Sequence, residues 1–122
     1  MTNENITVVY KWTANPGKLD ELSAIYENVS MAMEANEPGA TEVEVLVSEK
    51  DSALYVRDEF ADAGALGFHF TETAAAHFPD LLAIATPGPF FFFGEVPTEL
   101  KQATDQMQLG AEFSTRIAGF AR

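Results

Sequence analysis

The strongest constraint in this sequence is the order in which two hydrophobic periods alternate along the chain. Ile6, Val8, Tyr10 and Trp12 take every second position and predict a strand over Ile6–Thr13 with one apolar face. Leu19, Leu22, Tyr26, Val29 and Met33 then recur at spacings of three and four, with Ile25 and Ala32 beside them. That stripe predicts an amphipathic helix of about five turns. Asn15-Pro16-Gly17 introduces it and Pro38-Gly39 closes it. Asn15 is the expected cap, Pro16 suits the first helical position, and Asp20 and Glu21 sit near the positive end of the dipole.

Period two then returns twice. In Thr41–Val47, Val43, Val45 and Val47 point inward while Glu42 and Glu44 face out. After a polar hairpin at Glu49–Ser52, the run Leu54–Phe60 puts Leu54, Val56 and Phe60 on one face and Tyr55, Arg57 and Glu59 on the other. Asp58 falls on the apolar face, an unusual place for a carboxylate. Asp62 is the expected cap of a second helical region through Phe68, weakened by Gly64 and Gly67 and broken or restarted at Thr71-Glu72-Thr73. Ala74–Ile84 is again helix-like and bent at Pro79, and Pro87-Gly88-Pro89 ends the region. Phe90–Glu95 predicts a fourth strand, apolar on both faces and therefore central or covered on both sides. Leu100, Ala103 and Met107 mark a third helix after Pro97, and Phe113, Thr115 and Ile117 a fifth strand.

The order βαββαβ with an αβ extension predicts an α+β, ferredoxin-like sandwich. The expected organisation is one domain over residues 1–122, with its core at about 6–95 and the extension at about 96–122. Helices on one face leave the other bare, and a second copy is the simplest cover, giving a homodimer. Charge narrows the partners further. Seven Lys and Arg against nineteen Asp and Glu, a net charge of −12, argue against nucleic acid and against anionic membranes. With no Cys there is no disulfide, thiol nucleophile or cysteine-ligated metal. A polar start and the absence of any apolar run approaching the roughly 20 residues of a membrane span predict a cytoplasmic protein.

Several short pieces carry a family resemblance: Pro16-Gly17-Lys18, Glu37-Pro38-Gly39, Glu59-Phe60-Ala61-Asp62, and Ala65-Leu66 leading to His69. In this order and spacing, from about Ile6 to Gly94, the chain resembles the antibiotic biosynthesis monooxygenase family, dimeric α/β barrels built from ferredoxin-like subunits. The tail from Glu95 is similar to that of members that add a helix and a strand. The resemblance implies a cofactor-independent monooxygenase acting on a small aromatic quinol or phenol, with no cofactor and no metal. Haem-degrading relatives carry an Asn on the first strand and a Trp ten residues before a His in the second helix. Those places here fall near Tyr10 and on Gly67, so that branch does not fit.

Oxygenation without a cofactor requires a base to strip a phenolic proton, a donor for the resulting anion, and an apolar pocket. His69 matches the family's second-helix histidine and is the expected base, with Glu59 to orient it and Arg57 to hold an oxyanion. Arg57 and Glu59 share a strand face, and the plainer reading pairs them with each other. Asp58 reads as a buried carboxylate whose raised pKa would suit a base. Tyr10, Trp12 and Tyr26 offer stacking and hydroxyl groups, although ordinary core accounts for them equally well. His77 completes the substrate-binding set. Its offset from His69, eight residues or roughly 80° on a regular helix, is not that of a helical metal pair. The competing function is a non-catalytic protein of the same fold that binds a hydrophobic ligand or only dimerises.

Overall fold

The structure, a computed structural model, describes residues 4–122. Strand β1 (Ile6–Ala14) leads to helix α1 (Leu19–Asn36), and strands β2 (Ala40–Ser48) and β3 (Ala53–Phe60) form the hairpin. Helix α2 (Ala63–His69) runs through a π-helical turn (Phe70–Ala74) into helix α3 (Ala75–Leu82). Strand β4 (Ala85–Phe93), helix α4 (Thr98–Gln106) and strand β5 (Ala111–Ser114) complete the chain. The strands form one open sheet in the order β2-β3-β1-β4-β5, antiparallel except for β4 and β5. This is the predicted ferredoxin-like α+β fold. The sheet of a single chain is not closed into a barrel.

Register divides the sheet into two faces. Val8 lies opposite Asp58, Tyr10 opposite Val56 and Trp12 opposite Leu54, so these residues point to the helices and are buried. Leu22, Tyr26, Val29 and Met33 of α1 pack onto them as the stripe predicts. The far face carries Val9, Arg57 and Glu59 of the inner strands, with Leu46, Tyr55 and Phe93 exposed on it.

Four local expectations are corrected. Asn15 does not cap α1: its carbonyl accepts from the Lys18 amide in a turn with Gly17 at φ +78°, and the helix starts at Leu19. Val47 is more than half exposed, because β2 is an edge strand and the helices do not extend over its end. Strand β4 begins at Ala85, running through Pro87-Gly88-Pro89 where the sequence predicted a break. A register shift opposite Tyr10 and Trp12 absorbs the prolines, which lack the N–H a regular ladder would use. Strand β5 ends at Ser114, leaving Thr115 outside it and Ile117 exposed. The apolar β4 is central, between β1 and β5. Of its four phenylalanines only the helix-side Phe90 and Phe92 are buried, whereas Phe93 is 41% exposed.

Two glycines mark where elements press together. A Cβ on Gly88 would lie 2.6 Å from the Leu109 carbonyl oxygen, so the loop between α4 and β5 crosses β4 only over glycine. A Cβ on Gly39 would lie 2.5 Å from the Ala65 Cβ, where α2 seats against the end of α1. Gly39→Ala is therefore expected to destabilise the fold by about 1–3 kcal/mol through overpacking, read as a lower urea midpoint with an unchanged m-value.

Candidate active site

The helices do not fill the space above the sheet. Val8, Tyr10 and Trp12 of β1, Asp58 and Phe60 of β3, and Phe90 of β4 form the floor of a narrow cavity that is partly open to solvent. Tyr26 and Val29 of α1 form one wall, and His69, Phe70, His77 and Phe78 another. Met107 and Leu109 from the extension close it. The lining is largely aromatic: Tyr10 stacks on Phe90 with ring centres 4.3 Å apart, and Phe78 meets Trp12 edge-on at 5.8 Å.

The π-helical turn governs the second wall. Its wider turn advances fewer degrees per residue than an α-helix, which reduces the angular offset between His69 and His77. Both histidines consequently line one cavity. His77 bonds through Nδ1 to the Thr73 carbonyl at 2.9 Å. Since a carbonyl only accepts, Nδ1 carries the proton, and a neutral ring then has its lone pair on Nε2.

His69 is buried at the C-terminal end of α2, its Nδ1 3.0 Å from Glu37 Oε2. Glu37 caps the C-terminal end of α1 and is itself buried. Burial alone would raise its pKa, but the His69 hydrogen bond, the Thr73 hydroxyl and the His69 charge together hold the carboxyl below its usual range. An ionised Glu37 accepts only, so Nδ1–H is the donor, and in the neutral ring Nε2 carries the lone pair.

A second polar group runs along the floor. The Tyr10 hydroxyl donates to Asp58 Oδ2 at 2.9 Å, and the Tyr26 hydroxyl donates to Tyr10 at 3.4 Å. Burial pushes the Asp58 carboxyl up to about 6, helped by the Glu37 charge and opposed by His69 and the Tyr10 hydrogen bond. Burial, then the Asp58 charge, lifts Tyr10 well above the usual phenol range; Tyr26 rises too, chiefly through burial. Two atoms of this floor, Asp58 Oδ1 and Trp12 Nε1, are buried without a hydrogen-bond partner among the described residues.

Six of the eight residues singled out from the sequence thus line one cavity: Tyr10, Trp12, Tyr26, Asp58, His69 and His77. Glu59 and Arg57 do not. Alternation along β3 turns both to the far face, where Arg57 pairs with Glu42 and Glu59, and Glu59 also accepts from Thr41. The residue that holds His69 is Glu37, which sequence reasoning missed. Its available signal was an acid at the C-terminal end of a helix, the end where the dipole disfavours negative charge. Among the described residues no group of three or more His, Asp or Glu is placed to hold a metal ion. No helix among them is long and apolar enough to cross a membrane.

Residues 5–80 match the family model for antibiotic biosynthesis monooxygenases. The chain belongs to that family. No curated protein sequence matches it significantly. Among solved structures, MupZ from Pseudomonas fluorescens aligns over 98% of this chain and 96% of its own, with a TM-score of 0.80 at 16% identity. SnoaB, a cofactor-independent oxygenase from Streptomyces nogalater, aligns over 78% of this chain and 96% of its own, with a TM-score of 0.64 at 20% identity. A conserved protein from Methanosarcina mazei gives the same TM-score and identity over 74% of this chain and 91% of its own. At these identities the likeness is one of fold.

The raised Asp58 pKa makes the stability of this family member depend on pH. The native acid holds its proton up to about 6, whereas the unfolded one releases it near 3.8. The resulting contribution is complete below the unfolded value and disappears as pH rises through about 6. Asp58→Asn is therefore expected to gain stability relative to wild type as pH rises across that window, by on the order of 2–3 kcal/mol. Chemical denaturation at a series of pH values reads the difference, which should level off above the window.

Proposed function

We propose that the protein is a cofactor-independent monooxygenase of small aromatic phenols or quinols, working as a homodimer. The observation that carries this reading is the buried Glu37–His69 pair in the wall of an aromatic cavity. His69 Nε2 takes the proton of a bound phenol, and Glu37 stabilises the imidazolium that results. The electron-rich phenolate passes an electron to dioxygen, and the two radicals combine at the ring carbon para to the oxygen. Loss of water then leaves a quinone, so that phenol and O₂ give quinone and H₂O with no external reductant. The aromatic walls hold a flat substrate and exclude water from the radicals. The family match and the fold shared with SnoaB, described as a cofactor-independent oxygenase, support the reading.

Oxygen uptake with 1-naphthol is the test. Wild-type consumption should require O₂ and fall by roughly 10²-fold or more in His69→Ala, with a smaller loss in Glu37→Gln. A rate indifferent both to O₂ removal and to the His69 change would leave a non-catalytic ligand-binding protein as the better reading.

Support for the homodimer comes from the far face of the sheet. Leu46, Tyr55 and Phe93 are exposed there beside the half-buried Val9 and Phe91. A second sheet packed on this face removes those side chains from water and closes the two open sheets around each other. Phe91→Glu puts a charge in the middle of that contact. It is expected to shift sedimentation from dimer to monomer without altering the fluorescence of Trp12, which lies on the opposite face.

A further inference from the structure

We propose that Asp58 is a carbonyl anchor: as a neutral acid it presents an Oδ1–H to the cavity and hydrogen-bonds a carbonyl oxygen of the bound ligand. The inference rests on the reading of this cavity as the ligand site, and it adds the chemical group the ligand must carry. Four observations lead to it.

Asp58 Oδ2 is already occupied as an acceptor of the Tyr10 hydroxyl, and Tyr10 in turn accepts from Tyr26. Both hydroxyl protons point along the chain toward Asp58, so a proton on the carboxyl belongs on Oδ1. That oxygen is buried, belongs to a cavity-lining residue and has no partner among the described residues. The second unpartnered atom on the same floor, Trp12 Nε1, is a donor and nothing else. Finally, neither Lys nor Arg is among the residues lining the cavity, so a carboxylate or phosphate would meet no permanent counter-charge there, and the His69 ring is already engaged by Glu37. A floor with an unpartnered Asp58 oxygen, and a lining without Lys or Arg, fits a neutral acceptor oxygen on an aromatic framework.

The titratable groups facing Asp58 are Tyr10 from β1, Tyr26 and Glu37 from α1 and its end, and His69 from α2. His77 lines the same cavity from α3. With its pKa pushed up to about 6, the acid is mostly protonated below that pH, and a hydrogen bond to a ligand carbonyl extends the protonated range upward. Above it, an ionised Asp58 has nothing to donate.

Three small bicyclic probes separate the alternatives: 1-tetralone, the hydrocarbon tetralin, and 1-aminotetralin. Their binding can be followed through the fluorescence of Trp12, the single tryptophan of the chain. Below about pH 6, tetralone is expected to bind roughly tenfold more tightly than tetralin. That advantage should decline as pH rises, while tetralin stays flat. Asp58→Asn keeps an acceptor for Tyr10 and an N–H for the ligand, so it should retain the advantage and lose the pH dependence. Asp58→Leu should abolish the advantage.

Equal affinity for tetralone and tetralin overturns the proposal, as does failure of all three probes to bind. An amine that binds more tightly as pH rises overturns it in favour of a cation held by ionised Asp58. A pH profile unchanged in Asp58→Asn would assign the titration to a histidine and overturn it too. Should the variants not fold, the wild-type profiles of the three probes decide alone. None of these measurements involves O₂ or turnover, so their failure is distinct from failure of the monooxygenase reading.

Discussion

A carboxyl group buried on the core face of a β-sheet is the constraint around which this protein is arranged. Burying an unpaired carboxylate is costly, and three responses are available: pair it, hydrogen-bond it, or keep it protonated. The structure combines the last two. Tyr10 bonds one oxygen, the other has no partner, and the carboxyl pKa moves up. That solution places demands on its surroundings. Tyr10 must sit two residues along β1 from Val8, the register partner of Asp58, and Tyr26 must reach down from the third turn of α1 to bond it. Hydrocarbon filling the space above Asp58 would leave its free oxygen sealed in an apolar core, so a cavity there and the polar floor belong together.

The second polar group joins the end of one helix to the body of another. Glu37 lies where α1 terminates and its negative charge opposes that helix dipole; His69 lies where α2 passes into the π-helical turn. Brought together, the two side chains form a buried pair whose charges suit each other, and Gly39 lets α2 approach closely enough for the bond to form. The π-helical turn that follows directs His77 to the same space as His69, although their separation in a regular helix would point them apart. Wide helical turns of this kind are frequent at functional sites, and here the reason is geometric.

Much of this was legible from residue order alone, because period and face are local properties. Alternation in β1 and β3 assigned Tyr10, Trp12 and Asp58 to the buried side, and Asp58 stood out by being the wrong chemistry on the right face. The same alternation carried the opposite message for Glu59 and Arg57, one residue to either side of Asp58. A role for either in orienting His69 required reaching through the sheet. Glu37 was not legible, since its partner lies 32 residues away and the contact depends on how the end of α1 meets α2. Strand β4 was misread at its start for a related reason. Pro87-Gly88-Pro89 breaks a strand locally, yet a register shift in its pairing with β1 and the loop crossing at Leu109 accommodate it.

The extension shows why family membership and site architecture need not coincide. The family match ends at residue 80, before β4, α4 and β5. Yet Phe90 stacks on Tyr10, and Met107 and Leu109 close the cavity, so part of the site's boundary lies outside the matched segment. SnoaB aligns over 78% of this chain, whereas MupZ aligns over 98%, at lower sequence identity. The core places the floor and the two histidines; the end of the added helix and the loop after it contribute Met107 and Leu109 to the lining. His69 and Asp58 are therefore placed by the segment the family model covers, while part of the wall that encloses them is supplied by residues beyond it.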